Sequence, residues 1–140
     1  MANTYVDIGT GAIAVFATSA LSLNWTSMAL GTKSIDTIDT THLATTGNKT
    51  LMGGDLSNPG EVSFEFQWDS ENGPNVSNVS EALTISFPLA TGQSTKATYA
   101  GTGLITSVSF PTLGVEELQT GSLTFTWDGL TDATYTDGTT

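Results

Sequence analysis

Nine consecutive residues, Glu61 to Asp69, alternate without a break: Val62, Phe64, Phe66 and Trp68 fall on one side, and Glu61, Ser63, Glu65, Gln67 and Asp69 on the other. A period of two is that of a strand with one dry face, and no 3.6-residue helix can gather those four large side chains together. The same arithmetic governs Gly103 to Gly129. There Leu123, Phe125 and Trp127 oppose Thr124, Thr126 and Asp128, while Leu104, Thr106, Val108 and Phe110 alternate with Ile105, Ser107 and Ser109. Pro111, Gly114 and Gly121 punctuate the link, leaving Val115 to Leu118 room for one helical turn at most. This region predicts an antiparallel pair with one face built for a core.

The remaining chain reads in the same way. Residues 1 to 11 are polar, end in Gly9 and Gly11, and are expected to form an arm. Ala12 to Ala29 predicts two strands or one bent strand, with Leu21, Leu23 and Trp25 against Ser22, Asn24 and Thr26. Lys33 to Asp39 predicts a short strand whose two faces look alike, which suits an edge or an interface. Thr40 to Pro59 carries five threonines and little hydrophobic pattern, and is expected to be a long contact loop or an extended hairpin. Ser70 to Ser80 reads as a polar loop closed by a helical turn at Val79 to Leu83, with Ser80 as its cap. Strands follow at Leu83 to Phe87 and Thr95 to Tyr99, with Gly101 and Gly103 as a turn or bulge, and a frayed or docked tail covers 130 to 140. The sum is one all-β domain over 1 to 140, a sandwich or barrel of antiparallel strands with at most one short helix.

Composition excludes several functions. With 14 acidic residues against three lysines and no arginine, the net charge is -11, and no basic patch for gripping nucleic acid can be built. No cysteine is present, so there is no disulfide framework, thiolate nucleophile or cysteine metal site. The N-terminal segment lacks a basic region, and its apolar run is too short for a signal peptide; the expectation is synthesis and assembly in the cytoplasm. Only 12% of residues are charged, where about 25% is ordinary, and Thr, Ser and Gly take the vacated places. Hydroxyl side chains lose little entropy and little hydration when covered, so such a surface suits contact with neighbouring protein.

Nothing in the chain assembles into a catalytic constellation. His42 has no second histidine or cysteine to join it. Glu61 with Glu65, or Glu116 with Glu117, has the composition of a glycosidase pair but no evident means of raising one pKa. Asp69 to Gly73 lacks the spacing and closing glutamate of a calcium loop. Trp25, Trp68 and Trp127 lie on the apolar side of their strands, where a sugar platform gives way to core packing. The readings are therefore no catalytic residue, metal or cofactor, and no membrane span.

Three passages together resemble the major tail tube protein of long, non-contractile-tailed bacteriophages of the siphovirus type: THLATTGNKTLMGGDLSNPGEVSFEFQWD, ALTISFP and GLITSVSFPTLGVEELQTGSLTFTWDG. The resemblance implies a β-sandwich subunit, a six-fold ring, and rings stacked into a tube in the virion tail that conducts DNA during ejection. Its implied partners are other copies of the chain, a tape measure protein, a tail terminator and a distal tail protein. Six subunits giving four strands each would close a barrel about 48 Å across, wide enough for a duplex. On this reading Glu61, Ser63, Glu65 and Gln67 are candidates for the lumen. His42, Thr46, Lys49, Leu51, Met52 and Asp55 are candidates for subunit and ring contacts. An immunoglobulin-like adhesion or carbohydrate-binding module, with an exposed tryptophan, is the alternative, and an enzyme on a jelly-roll scaffold a third.

Overall fold

A computed structural model of the chain describes residues 9–140. The described residues hold nine strands and no helix: β1 (Ile13–Phe16), β2 (Asn24–Ala29), β3 (Ser34–Asp39), β4 (Leu51–Asn58), β5 (Glu61–Gln67), β6 (Glu81–Ser86), β7 (Thr98–Ser109), β8 (Thr120–Trp127) and β9 (Thr134–Thr136). Seven of them form one antiparallel sheet in the order β1-β6-β7-β8-β5-β2, with β9 added to β7. β3 and β4 pair only with each other.

The large sheet curls on itself, because its dry residues all lie on one face and need cover. Phe16, on edge strand β1, brings its ring within 5.9 Å of Trp25 on β2, 5.7 Å of Phe64 on β5 and 5.8 Å of Phe125 on β8. Val62, Phe64, Phe66, Leu83, Ile85, Leu123 and Phe125 are buried around it. Each such side chain contributes about 1.5–3 kcal/mol of burial, and tilted or edge-on aromatic pairs add about 0.5–1.5 kcal/mol. The result is an open antiparallel barrel, and the all-β expectation holds.

Several local expectations need correction. Gly101 and Gly103 make neither turn nor bulge, because β7 runs through both as a single strand of 12 residues. They face inward, where a Cβ at Gly101 would stand 3.1 Å from the Trp127 ring and one at Gly103 would meet the Thr126 carbonyl and the Phe125 ring. The rings of β8 thus occupy the space that side chains on β7 would need. We expect Gly103→Ala to cost about 1–3 kcal/mol by forcing β7 off β8, read as a lower urea midpoint at unchanged slope.

Farther along β7 it is Ile105, not Leu104, that is buried, and a bulge between Ile105 and Ser107 resets the phase so that Val108 packs on the core. Phe110 is exposed and lies against Trp68. Val79 to Leu83 holds no helical turn. Glu81 begins β6, and its buried carboxylate accepts from the Ser19 hydroxyl at 2.9 Å. The tail is docked on its own domain: β9 pairs with Thr98 to Ala100, Ala133 is buried, and Thr139 bridges to Thr95.

Three turns are tied by aspartates. The Thr41 hydroxyl and N–H hold the Asp39 carboxyl below its ordinary value of 3.8, and the Asn72 side chain with the Glu71 N–H does the same for Asp69. At Asp128 burial is the largest influence and raises the value, but the Ser80 and Thr102 hydroxyls with the Leu130 and Thr131 N–H groups outweigh it, and the net shift is downward. A carboxyl whose folded-state pKa is depressed binds fewer protons folded than unfolded, so its contribution is present above the unfolded value and fades as pH falls through the folded one. Urea midpoints should therefore be level at neutral pH and decline below about pH 4. Asp128→Asn should lower the plateau and flatten the decline.

Candidate assembly surfaces

The long loop expected at Thr40 to Pro59 is half strand. Leu51–Asn58 forms β4 and returns along β3, with Ile38 opposite Met52, Asp39 opposite Leu51 and Ser34 opposite Asn58. Its threonines close the neck of the turn: Thr40 N–H donates to the Thr50 carbonyl at 2.9 Å, the two hydroxyls meet at 2.8 Å, and Thr50 N–H donates to Thr41 Oγ1 at 3.1 Å. His42, offered from sequence as a contact residue, is bound within the turn, its Nδ1 accepting from the Ala44 N–H at 3.2 Å. Thr46 and Lys49 stand exposed on the same turn, and Leu51, Met52 and Asp55 are exposed on β4.

This hairpin packs against no other strand of the described chain. Ile35, Ile38, Leu51, Met52 and Leu56 are 49 to 84% exposed along it. An isolated two-stranded hairpin is marginal in water at best, and apolar side chains on both faces leave it nothing of its own to bury. The sequence signal was the look-alike pattern of Lys33 to Asp39; the long threonine stretch hid the returning strand.

Glu61, Ser63, Glu65 and Gln67 share the outer face of β5. They stand opposite Thr126, Thr124, Ser122 and Thr120 of β8, and Glu65 accepts from the Ser27 hydroxyl of β2 at 3.3 Å. Thr106 on β7 continues the face, its hydroxyl 2.9 Å from that of Thr126. Four neighbouring strands, β2, β5, β8 and β7, thus present hydroxyls and carboxylates, and none of them contains a lysine. Lys33 is drawn elsewhere, donating to Asp132 at 2.7 Å and to the Ala133 carbonyl at 3.1 Å. Glu61 and Glu65 lie on an open face rather than in a cleft, and no group of three or more metal-ligating side chains occurs among the described residues.

A second exposed apolar patch, not foreseen, covers the β7–β8 link at Phe110, Leu113, Val115 and Leu118, all at least 67% exposed. By the pairing of β5 with β8, this link and the hairpin leave the barrel at opposite ends. Trp127 is buried, and Trp25 and Trp68 pack into the aromatic cluster, so no tryptophan is presented as a sugar platform.

No protein-family model matches the sequence, and no curated protein does. Among solved structures the chain is similar to the sheath/tube terminator of the PVC extracellular contractile injection system, seen by cryo-electron microscopy in its extended state. The TM-score is 0.71 at 17% identity, over 96% of this chain and 99% of that one. At that identity the likeness is one of fold, and it takes in nearly every residue of both chains. The protein thus shares the curled all-β fold of that sheath/tube terminator.

Proposed function

We propose that the chain is a structural, non-catalytic subunit of a phage-tail-like tube, assembling as rings, six-fold in the arrangement the resemblance implies, through which DNA passes. The observation that carries this reading is the β3–β4 hairpin, an arm with apolar residues on both faces and no cover from the other strands among the described residues. A second copy is the partner that a repeating particle supplies. The fold shared with a tube terminator and the apolar patch at the barrel's other end support the same reading.

In such a ring the four-strand polar face, with Glu61, Ser63, Glu65 and Gln67, lines the bore. Near physiological salt its carboxylates repel phosphate over about 8 Å, so a passing duplex is kept off the wall. Each lysine placed there would instead make a phosphate contact that must be broken during transit. We expect Glu61→Lys with Glu65→Lys to leave assembly intact while tubes retain duplex DNA, the retention falling steeply between 50 and 200 mM salt. Tape measure and distal tail proteins are the expected partners along and at the end of the tube, in a virion tail assembled in the host cytoplasm.

The match to a terminator along almost all of both chains favours one variant reading, a capping ring at the tube's end. Sedimentation velocity at rising concentration separates the two. An open-ended series of stacked rings marks the tube subunit and a single closed ring the cap, whereas a monomer at every concentration and salt, with or without other tail components, refutes both.

A further inference from the structure

Two exposed apolar patches stand beyond opposite ends of β5, and the charges set among them are opposite. On one side the turn of the hairpin, Thr40 to Thr50, carries Lys49 and no acidic residue, in a chain whose net charge is -11. Leu43 projects from that turn fully exposed. On the other side the β7–β8 link carries Glu116 and Glu117, both exposed, among Leu113, Val115 and Leu118 at 67 to 93% exposure.

We infer that the two patches are halves of one contact: the hairpin turn of one copy docks on the β7–β8 link of the next, with Leu43 covering the link's aliphatic side chains and Lys49 facing Glu116 and Glu117. The inference rests on the ring-forming reading above and names the surface that receives the hairpin's tip. Charge selects that surface. Copies of so acidic a chain repel one another over most of their exterior, and close approach is favoured where a basic tip meets an acidic patch.

Both halves are held in shape before they meet. In the turn the Thr45 N–H donates to the His42 carbonyl at 2.9 Å and the His42 N–H to Thr45 Oγ1 at 3.0 Å, above the neck closed by Thr40 and Thr50. At the link the Gln119 carbonyl accepts from the Trp68 N–H at 2.9 Å, and the Phe110 ring lies 5.5 Å from that of Trp68. Surfaces ordered in advance lose little freedom on docking. Because turn and link are different surfaces at opposite ends, a pair of copies joined this way leaves one turn and one link free, and the contact repeats end to end. One such contact is small, and a ring that offers it once per subunit multiplies its strength.

Two full-length variants separate the halves. Leu43→Ser with Lys49→Glu spoils the turn and keeps the link; Leu113→Ser with Leu118→Ser spoils the link and keeps the turn. The substituted side chains are all exposed, so melting temperatures should stay within a few degrees of the parent's. Alone, each variant should need at least about tenfold more protein than the parent to grow end to end in sedimentation velocity. Mixed in equal amounts, they retain one intact contact and should pair 1:1 and grow no further. Growth of either variant alone at the parent's concentration, a mixture as inert as its parts, or a mixture that grows without limit overturns the inference. A parent chain that stays monomeric overturns the ring reading with it, whereas a parent that stops at one ring, or grows beside an inert mixture, overturns the contact alone.

Discussion

Deleting residues 32 to 59, so that Gly31 joins Gly60, should abolish ring and tube formation while shifting the thermal midpoint of the monomer by only a few degrees. The two halves of this expectation have separate causes. Among the described residues β3 and β4 touch no other strand, so the barrel loses little beyond the exposed Lys33–Asp132 pair and the Lys33 bond to the Ala133 carbonyl. A loss of 1 kcal/mol or less corresponds to about 2–4 °C in a domain of this size. Assembly, however, loses the surface that exposes Ile35, Ile38, Leu51, Met52 and Leu56. A gentler version, Ile38→Ser with Met52→Ser, alters one cross-strand pair on one face of the hairpin and should raise the concentration needed for assembly at least about tenfold, at 1.4 kcal/mol per decade. Imaging and sedimentation of the purified variants, beside a melting curve, read both effects.

Phe64→Ala should do the reverse. Its ring is fully buried and meets those of Phe16 at 5.7 Å and Trp25 at 4.9 Å, joining β1, β2 and β5 where the curled sheet comes closest to closing. Truncation removes the burial of the ring and leaves a cavity among residues held by three strands, at a cost of about 3–5 kcal/mol. The melting temperature should fall by roughly 10 °C or more. Leu56→Ala, on an 84% exposed hairpin residue, should stay within about 0.5 kcal/mol. If the two variants lost similar stability, the hairpin would have to be packed on the barrel, and the case for an uncovered arm would fail.

How much of this was legible in the sequence depended on whether one strand face was dry. β5 and β8 were readable residue by residue, because burial on one side and water on the other impose a strict period of two. β7 departs from that period at both ends for the same reason. Its inward positions 101 and 103 are glycines, which carry no hydrophobic signal, and the bulge after Ile105 moves the dry side by one residue. β4 was hidden because a strand exposed on both faces has no period to detect. β9 was hidden because three threonine- and tyrosine-bearing residues added to an edge resemble a polar tail. The sequence expects a contact loop or extended hairpin at Thr40 to Pro59, and the β3–β4 hairpin stands there, while the exposed apolar link at Phe110 to Leu118 has no period that would announce it.

The central claim is that the hairpin is covered by other copies of the chain and that the β5 face looks into the bore. A cryo-electron microscopy reconstruction of the assembled protein tests it most directly. The account predicts rings with β3 and β4 of each copy packed on a neighbour and Glu61, Ser63, Glu65 and Gln67 facing an open channel wider than about 20 Å, the width of a duplex. A particle whose hairpins remain in solvent, or whose channel is lined by another face of the barrel, would contradict it.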